Sequence, residues 1–341
     1  MRVLYGVSPI GLGHASRAVA VGAELKARGA EVTFACAGYA GESIRSNGFQ
    51  VEDAITAHPP RFVGTEMKDA SVWYLRYWSD LRRNKRTMTE IVEKLSPDLV
   101  VGDEEFSGLE VALERGIRRV MISDELELGF ARTWLARRIE SRAERWYGAL
   151  MLKMDLLIVP DEGKDSGNVC HVGPIVRSPT KSREEVLAEL GIGRGRKVIL
   201  VSLSGAGVGG DLVARAALTV RGDPSLELVV SGNRGERLVG ERVHDLGMVR
   251  ENQNLVAASD LVISTAGKST IDEALANGTS IIVIPIKNHA EQERNASALG
   301  FSSKDAGRLE ALVREKVGKR TEPRPFDGAR KAAELLLSAA D

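Results

Sequence analysis

Cysteine is nearly absent: Cys36 and Cys170 are the only two in 341 residues. They have no metal-ligand spacing and make no disulfide framework, so both read as small core residues in a reducing compartment. Neither charge sign is in excess, with 47 basic against 47 acidic residues. That balance gives no global attraction to nucleic acid. No apolar run approaches the roughly 20 residues of a membrane span. Met1-Arg2-Val3-Leu4-Tyr5-Gly6 turns polar too soon for a signal peptide, and a cytoplasmic location is expected. No Asp-x-Asp pair offers to hold a cation. There is no repeat and no low-complexity tract.

What the chain does have is a repeated strand–turn–helix rhythm and 43% hydrophobic residues, enough for two cores. In the first half, strands are predicted over Val3 to Val7, Glu31 to Ala37, Pro97 to Val101, Val120 to Ser123 and residues 156 to 160, with helices between them. The breakers Gly173-Pro174 and Ser178-Pro179 mark a linker. The rhythm then restarts, with strands over Lys197 to Leu203, Glu227 to Ser231 and Met248-Val249, and a helix over Asn252 to Ala258. Strands separated by helices imply parallel sheets. The expected domains are 1–174 and 175–326, with an amphipathic helix in 327–341.

Leu261 to Ala296 is the most informative segment. A strand leads into Ser264-Thr265-Ala266-Gly267, then a helix from about Ser269, a second strand, and His289-Ala290-Glu291-Gln292-Glu293-Arg294-Asn295-Ala296. A helix entered through small residues presents free N–H groups and a positive dipole end, which suit phosphate. Glu273, one turn inside, suits a ribose diol, and Glu291 and Gln292 suit sugar hydroxyls. Those are the three parts of a nucleotide sugar.

On these residues the segment resembles the donor-binding half of the GT-B glycosyltransferases, especially the family 28 and UDP-glycosyltransferase group. The resemblance implies two Rossmann-like parallel-sheet α/β domains facing across a cleft. It implies that Glu273 holds the nucleotide ribose, that Glu291-Gln292 and Asn295-Ala296 contact the hexose, and that the main chain at Val249 reads a uracil. His289 lies in the same motif. Backbone N–H groups of Gly205, Ala206 and Gly207 on one side, and of Gly267, Lys268 and Ser269 on the other, are expected to meet the diphosphate, with Arg177 and Arg234 as further partners. No cofactor and no metal is required on this reading: helix ends and side chains meet the charge of the leaving UDP. The implied reaction is an inverting displacement at the anomeric carbon.

Near the N-terminus, Gly11-Leu12-Gly13 lacks the third glycine and the ribose-binding acid of a dinucleotide fingerprint. His14 and Arg17 follow it, and the turn resembles the Gly-x-Gly-His element of the same families, beside donor phosphates and acceptor. His14 can accept a proton from an acceptor hydroxyl or donate a hydrogen bond to a phosphate. Asp103 and Asp124 each follow a strand, where an open sheet places its ligands. Either can orient His14 or act as the base. Glu104 and Glu105 crowd Asp103, and like charges raise a pKa; the plainer reading is a cluster of acids at a helix start. His58, before Pro59-Pro60, reads as a loop residue and His244 as a surface one.

Trp73-Tyr74-Leu75-Arg76-Tyr77-Trp78 runs into Arg82-Arg83-Asn84-Lys85-Arg86, and Phe130 to Met154 again mixes aromatics with arginines. Such helices suit a lipid-linked acceptor and peripheral membrane contact, an aromatic cleft for a sugar, or plain packing on the sheet. Three functions are consistent with the residues: transfer of a hexose or N-acetylhexosamine from a UDP-sugar, hydrolysis of a UDP-sugar as in nonulosonate-type pathways, and non-catalytic nucleotide-sugar sensing.

Overall fold

The computed structural model describes the chain apart from residues 11, 59, 60, 64, 65, 69, 124–133, 204–208, 234, 288, 340 and 341. It divides into two compact units: Met1–Arg61, Lys68–Val176 and Phe326–Asp341 form the first, Phe62–Met67 and Arg177–Pro325 the second.

In chain order the elements up to the second sheet run β1 (Arg2–Val7), α1 (Gly13–Ala27), β2 (Glu31–Ala35), α2 (Gly38–Ser46), β3 (Gln50–Glu52), β4 (Arg61–Val63), β5 (Glu66–Lys68), α3 (Ala70–Leu95), β6 (Leu99–Asp103), α4 (Ser107–Arg115), β7 (Arg118–Ile122), α5 (Trp134–Met151), β8 (Leu156–Val159) and β9 (Val169–His171), all in the first unit except most of β4 and β5. The main sheet has the order β3-β2-β1-β6-β7-β8-β9, and β4 pairs with β5 separately. Its ladders are parallel throughout. Parallel strands are covered on both faces, which is why β1 and β6 read as near-continuous apolar runs. One face packs on α1 and α2 with Tyr5, Phe34 and Leu99 fully buried, the other on α3, α4 and α5 around Leu4, Met88 and Met121.

The second unit runs α6 (Arg183–Glu189), β10 (Lys197–Ser202), α7 (Gly210–Arg221), β11 (Leu226–Ser231), β12 (Val239–Gly240), β13 (Val243–Gly247), α8 (Asn252–Ala258), β14 (Leu261–Ser264), α9 (Lys268–Ala276), β15 (Ile281–Val283), α10 (Ala290–Ala298), a 3₁₀ turn (Ser303–Arg308) and α11 (Leu309–Lys316). Its sheet has the order β12-β13-β11-β10-β14-β15, parallel except for β12 against β13. The last helix, α12 (Gly328–Ser338), belongs to the first unit, where Ala332, Ala333 and Leu336 enter the core beside α1.

The structure moves one predicted strand. Met248-Val249 lies outside regular structure, and the strand before α8 is Val243–Gly247. Polar residues such as His244 and Asp245 hid it, because β13 is only half buried and carries no apolar run. His244 is half-buried on β13, with its Nε2 3.0 Å from the Glu227 carboxylate. Cys36 is buried in the core, as its sequence context predicts, and burial pushes its thiol up to about 12.

Candidate functional site

In each sheet the strand order reverses direction at one point, and the crevice outside the strand ends there is where open α/β sheets bind ligands. In the first unit that point is β1 against β6. The turn after β1 delivers Gly13 and His14 as the opening residues of α1, and β6 ends on Asp103. His14 Nδ1 lies 3.0 Å from Asp103 Oδ1 although the residues are 89 apart in sequence. Arg17 forks onto the same carboxylate, Nε to Oδ2 at 2.9 Å and Nη2 to Oδ1 at 2.6 Å. Asp103 is fully buried.

Burial pushes the Asp103 carboxyl up. The Arg17 guanidinium and the hydrogen bonds from His14 and Arg17 outweigh it, so the group is held below the usual carboxylate range. The expectation that neighbouring acids raise it is therefore corrected: a buried cation at contact distance outweighs carboxylates that point elsewhere. Glu105 turns its oxygens onto the start of α4, accepting from the backbone N–H of Ser107 at 2.7 Å and of Gly108 at 2.9 Å. That is the plainer helix-start role. An ionised Asp103 can only accept, so in this contact Nδ1 of His14 donates; Nη2 of Arg17 lies 3.2 Å from the same nitrogen. Glu104 sits just beyond in the left-handed region, φ 45°, with a carboxylate oxygen 3.6 Å from that Nε2.

In the second unit the reversal lies between β10 and β14. The turn after β14 holds Ala266 in the left-handed region at φ 68° and fully buried. Gly267 then caps α9 without a side-chain bond, leaving Lys268 and Ser269 half-buried in its first turn. Thr265 is 2% exposed, and its hydroxyl has no hydrogen-bond partner among the described residues. Glu273 is buried one turn into α9. Arg177, at the start of this unit, donates to the Arg250 carbonyl at 3.1 Å. Burial lowers its pKa, opposed by the charges of Glu273 and Glu251. Val249 sits in the same loop as Arg250, packed on the core.

The turn after β15 brings His289 to the start of α10, half-buried, with its pKa lowered by burial. Glu291 follows in the first turn. Gln292 is buried, and its Oε1 accepts the Ile286 N–H at 3.0 Å. Asn295 donates to the Ala266 carbonyl at 3.1 Å, tying α10 to the turn before α9. Ala296 is fully buried in the core. The implied hexose contact at Ala296 is thus corrected: its methyl packs inward. Gly205, Ala206, Gly207, Asp124 and Arg234 lie outside the described residues.

Sequence reasoning passed over two features. The buried Thr265 hydroxyl, without a partner among the described residues, stands beside a left-handed alanine that no residue pattern announces. His58, expected in a plain loop, places Nδ1 2.7 Å from Oδ2 of the buried Asp80, which Arg83 also grips at 2.8 Å. An acid on a helix face two strands further along the chain gives no local signal of such a pair. Among the described residues no helix is long and apolar enough to cross a membrane, and no group of three His, Cys, Asp or Glu side chains is placed to hold a metal.

Comparison with known proteins agrees with this architecture. Residues 231–313 match the glycosyltransferase family 28 C-terminal domain, and residues 1–155 match glycosyl transferase family 1. An uncharacterized glycosyltransferase of Methanosarcina acetivorans is 26% identical over 348 residues, covering 93% of this chain and 86% of the relative. The UDP-N-acetylglucosamine–N-acetylmuramyl-(pentapeptide) pyrophosphoryl-undecaprenol N-acetylglucosamine transferase of Parabacteroides distasonis is 25% identical over 245 residues, 66% of this chain and 63% of that one. Among solved structures, the Streptomyces sp. SF2575 glycosyltransferase SsfS6 complexed with thymidine diphosphate is similar over 100% of this chain and 98% of its own, with TM-score 0.61 and 18% identity.

Proposed function

For a GT-B glycosyltransferase similar to family 28 and the UDP-glycosyltransferase group, we propose inverting, metal-independent transfer of a hexose or N-acetylhexosamine from a UDP-sugar to an acceptor hydroxyl. The observation that carries the reading is the His14–Asp103–Arg17 constellation at the strand reversal of the first unit. Asp103, kept anionic by Arg17, holds His14 in the tautomer whose Nε2 is basic. That nitrogen takes the acceptor's hydroxyl proton while the acceptor oxygen bonds to the anomeric carbon. The bond from that carbon to the β-phosphate oxygen breaks with its electron pair, and UDP departs as an anion.

The second unit serves the donor. The N–H groups opening α9, the Thr265 hydroxyl and Arg177 supply positive potential and donors for the diphosphate. With that supply no divalent cation is required. Glu273 takes the ribose diol, the Val249 main chain reads the base, and Glu291 and Gln292 face the hexose side of α10.

UDP release from a panel of UDP-sugars, with and without candidate acceptors, tests the reading. Acceptor-dependent release, insensitive to EDTA and lost in His14→Ala while UDP affinity is kept, is the expected result. Equal release without acceptor would make the protein a hydrolase, and UDP binding without any release would make it a sensor. Glu273→Ala should weaken UDP at least tenfold, or about 1.4 kcal/mol; unchanged affinity would remove the donor assignment.

A further inference from the structure

Three carboxylates follow one another at the end of β6, and each turns to a different partner. Asp103 faces Arg17 and Nδ1 of His14, and Glu105 faces the start of α4. The third, Glu104, faces the other ring nitrogen: its Oε2 lies 3.6 Å from Nε2 of His14. That separation is longer than a hydrogen bond, so the two atoms stand side by side with neither donating to the other. The side chains are 19% exposed at His14 and 24% at Glu104, which leaves both within reach of a ligand.

Glu104 is held in place from two directions. Its backbone N–H donates to the Ile122 carbonyl at 3.1 Å, and its Oε1 accepts from Ser123 Oγ at 3.4 Å. Ser123 is fully buried, and its hydroxyl lies 3.0 Å from that of Tyr147 on α5. A carboxylate only accepts, so Tyr147 donates to Ser123 and Ser123 to Glu104. The backbone of Glu104 sits at φ 45°, in the left-handed region that suits glycine and strains a long side chain. A turn that needed only this backbone shape would be better served by glycine. The strain instead holds a carboxylate beside the reacting group, where strained residues cluster when their side chains are used.

Two proton acceptors at this separation match two hydroxyls on neighbouring carbons, one O–H aimed at Nε2 and the other at Oε2. An acceptor with a single hydroxyl fills the first position and covers the carboxylate without giving it a donor, which is costly. On the reading of His14 as the base of a transferase, we propose that Glu104 is a specificity residue that binds the hydroxyl next to the one being glycosylated. The acceptor class is then a compound with two hydroxyls on adjacent carbons, as in a sugar ring or a catechol. The hydroxyl at Nε2 gives its proton to His14 and forms the new bond to the anomeric carbon as UDP leaves; its neighbour donates to Oε2 and stays unmodified.

UDP release from UDP-glucose and UDP-N-acetylglucosamine, measured on the full chain with paired acceptor probes, tests the proposal. The pairs are catechol against phenol, and a cis-cyclohexanediol with adjacent hydroxyls against cyclohexanol. The wild-type protein should favour each diol in kcat/KM by at least tenfold, the size of one hydrogen bond to a charged group. Glu104→Gln should reduce that ratio at least tenfold, chiefly through KM of the diol. Glu104→Gly, which suits the left-handed backbone, should fold and lose the ratio as well. A wild-type ratio near one, or a ratio that either variant keeps, overturns the assignment. A loss of kcat equal for diol and single hydroxyl also overturns it, because Glu104 would then act only on the charge of His14. UDP release that no acceptor raises would instead remove the transferase reading on which the proposal rests.

Discussion

Arg17 and Asp103 hold each other through two hydrogen bonds, Nε to Oδ2 at 2.9 Å and Nη2 to Oδ1 at 2.6 Å, with both side chains buried. The fork does two jobs: it fixes the carboxylate that orients His14, and it keeps that carboxylate ionised out of water.

Arg17→Ala should therefore damage both stability and rate. Removing one partner of a buried ion pair leaves an uncompensated charge and costs about 3–5 kcal/mol. Urea unfolding measures it. A loss under about 1 kcal/mol, the range of a surface pair, would show that solvent reaches Asp103.

Two neighbouring acids should give opposite dependences of stability on pH. Asp103 has a folded value below that of an unfolded aspartate, about 3.9; its contribution is present above that pH and lost as pH falls through the folded value. Glu105 is raised, chiefly by burial, against the hydrogen bonds from Ser107 and Gly108. Its contribution is complete below about 4.3 and is lost as pH rises through the folded value. Glu105→Gln should thus gain on the wild-type protein as pH is raised from 4 to 7, read from unfolding free energies at each pH. A constant difference across that range contradicts the assignment.

Gly102 precedes Asp103 at the end of β6, and a Cβ there would lie 2.3 Å from the Glu105 carbonyl oxygen and 2.7 Å from Leu109 Cδ1. Backbone cannot step aside as a flexible side chain does. Gly102→Ala should cost about 1–3 kcal/mol through overpacking and displace Asp103, lowering transfer as well as stability. Wild-type melting and activity together would refute this.

Asn295 reaches the Ala266 carbonyl rather than open space. Asn295→Ala should remove a hydrogen bond of about 1 kcal/mol and loosen the turn that opens α9, weakening UDP and UDP-sugar alike by about fivefold. A loss confined to the UDP-sugar would return Asn295 to hexose contact.

Much of this architecture is written locally. Strand–turn–helix alternation follows from short apolar runs bounded by glycine and proline, and it marks the segments around His14, Gly267 and Glu273 before any fold is known. Half-buried β13 escaped because partial burial demands no apolar pattern. Likewise the role of Asn295 depends on the left-handed Ala266, whose conformation is imposed by its surroundings and favoured by nothing in an alanine.

By itself, then, the sequence determined a parallel α/β chain with phosphate-suited helix starts, because periodicity and turn chemistry act over a few residues. Only the tertiary structure decided that β6 lies beside β1, so that Asp103 meets His14 and Arg17, and that Trp78 of α3 meets Trp146 of α5. Strand order and helix pairing are chosen by the packing of whole faces, and no short stretch of residues contains that choice.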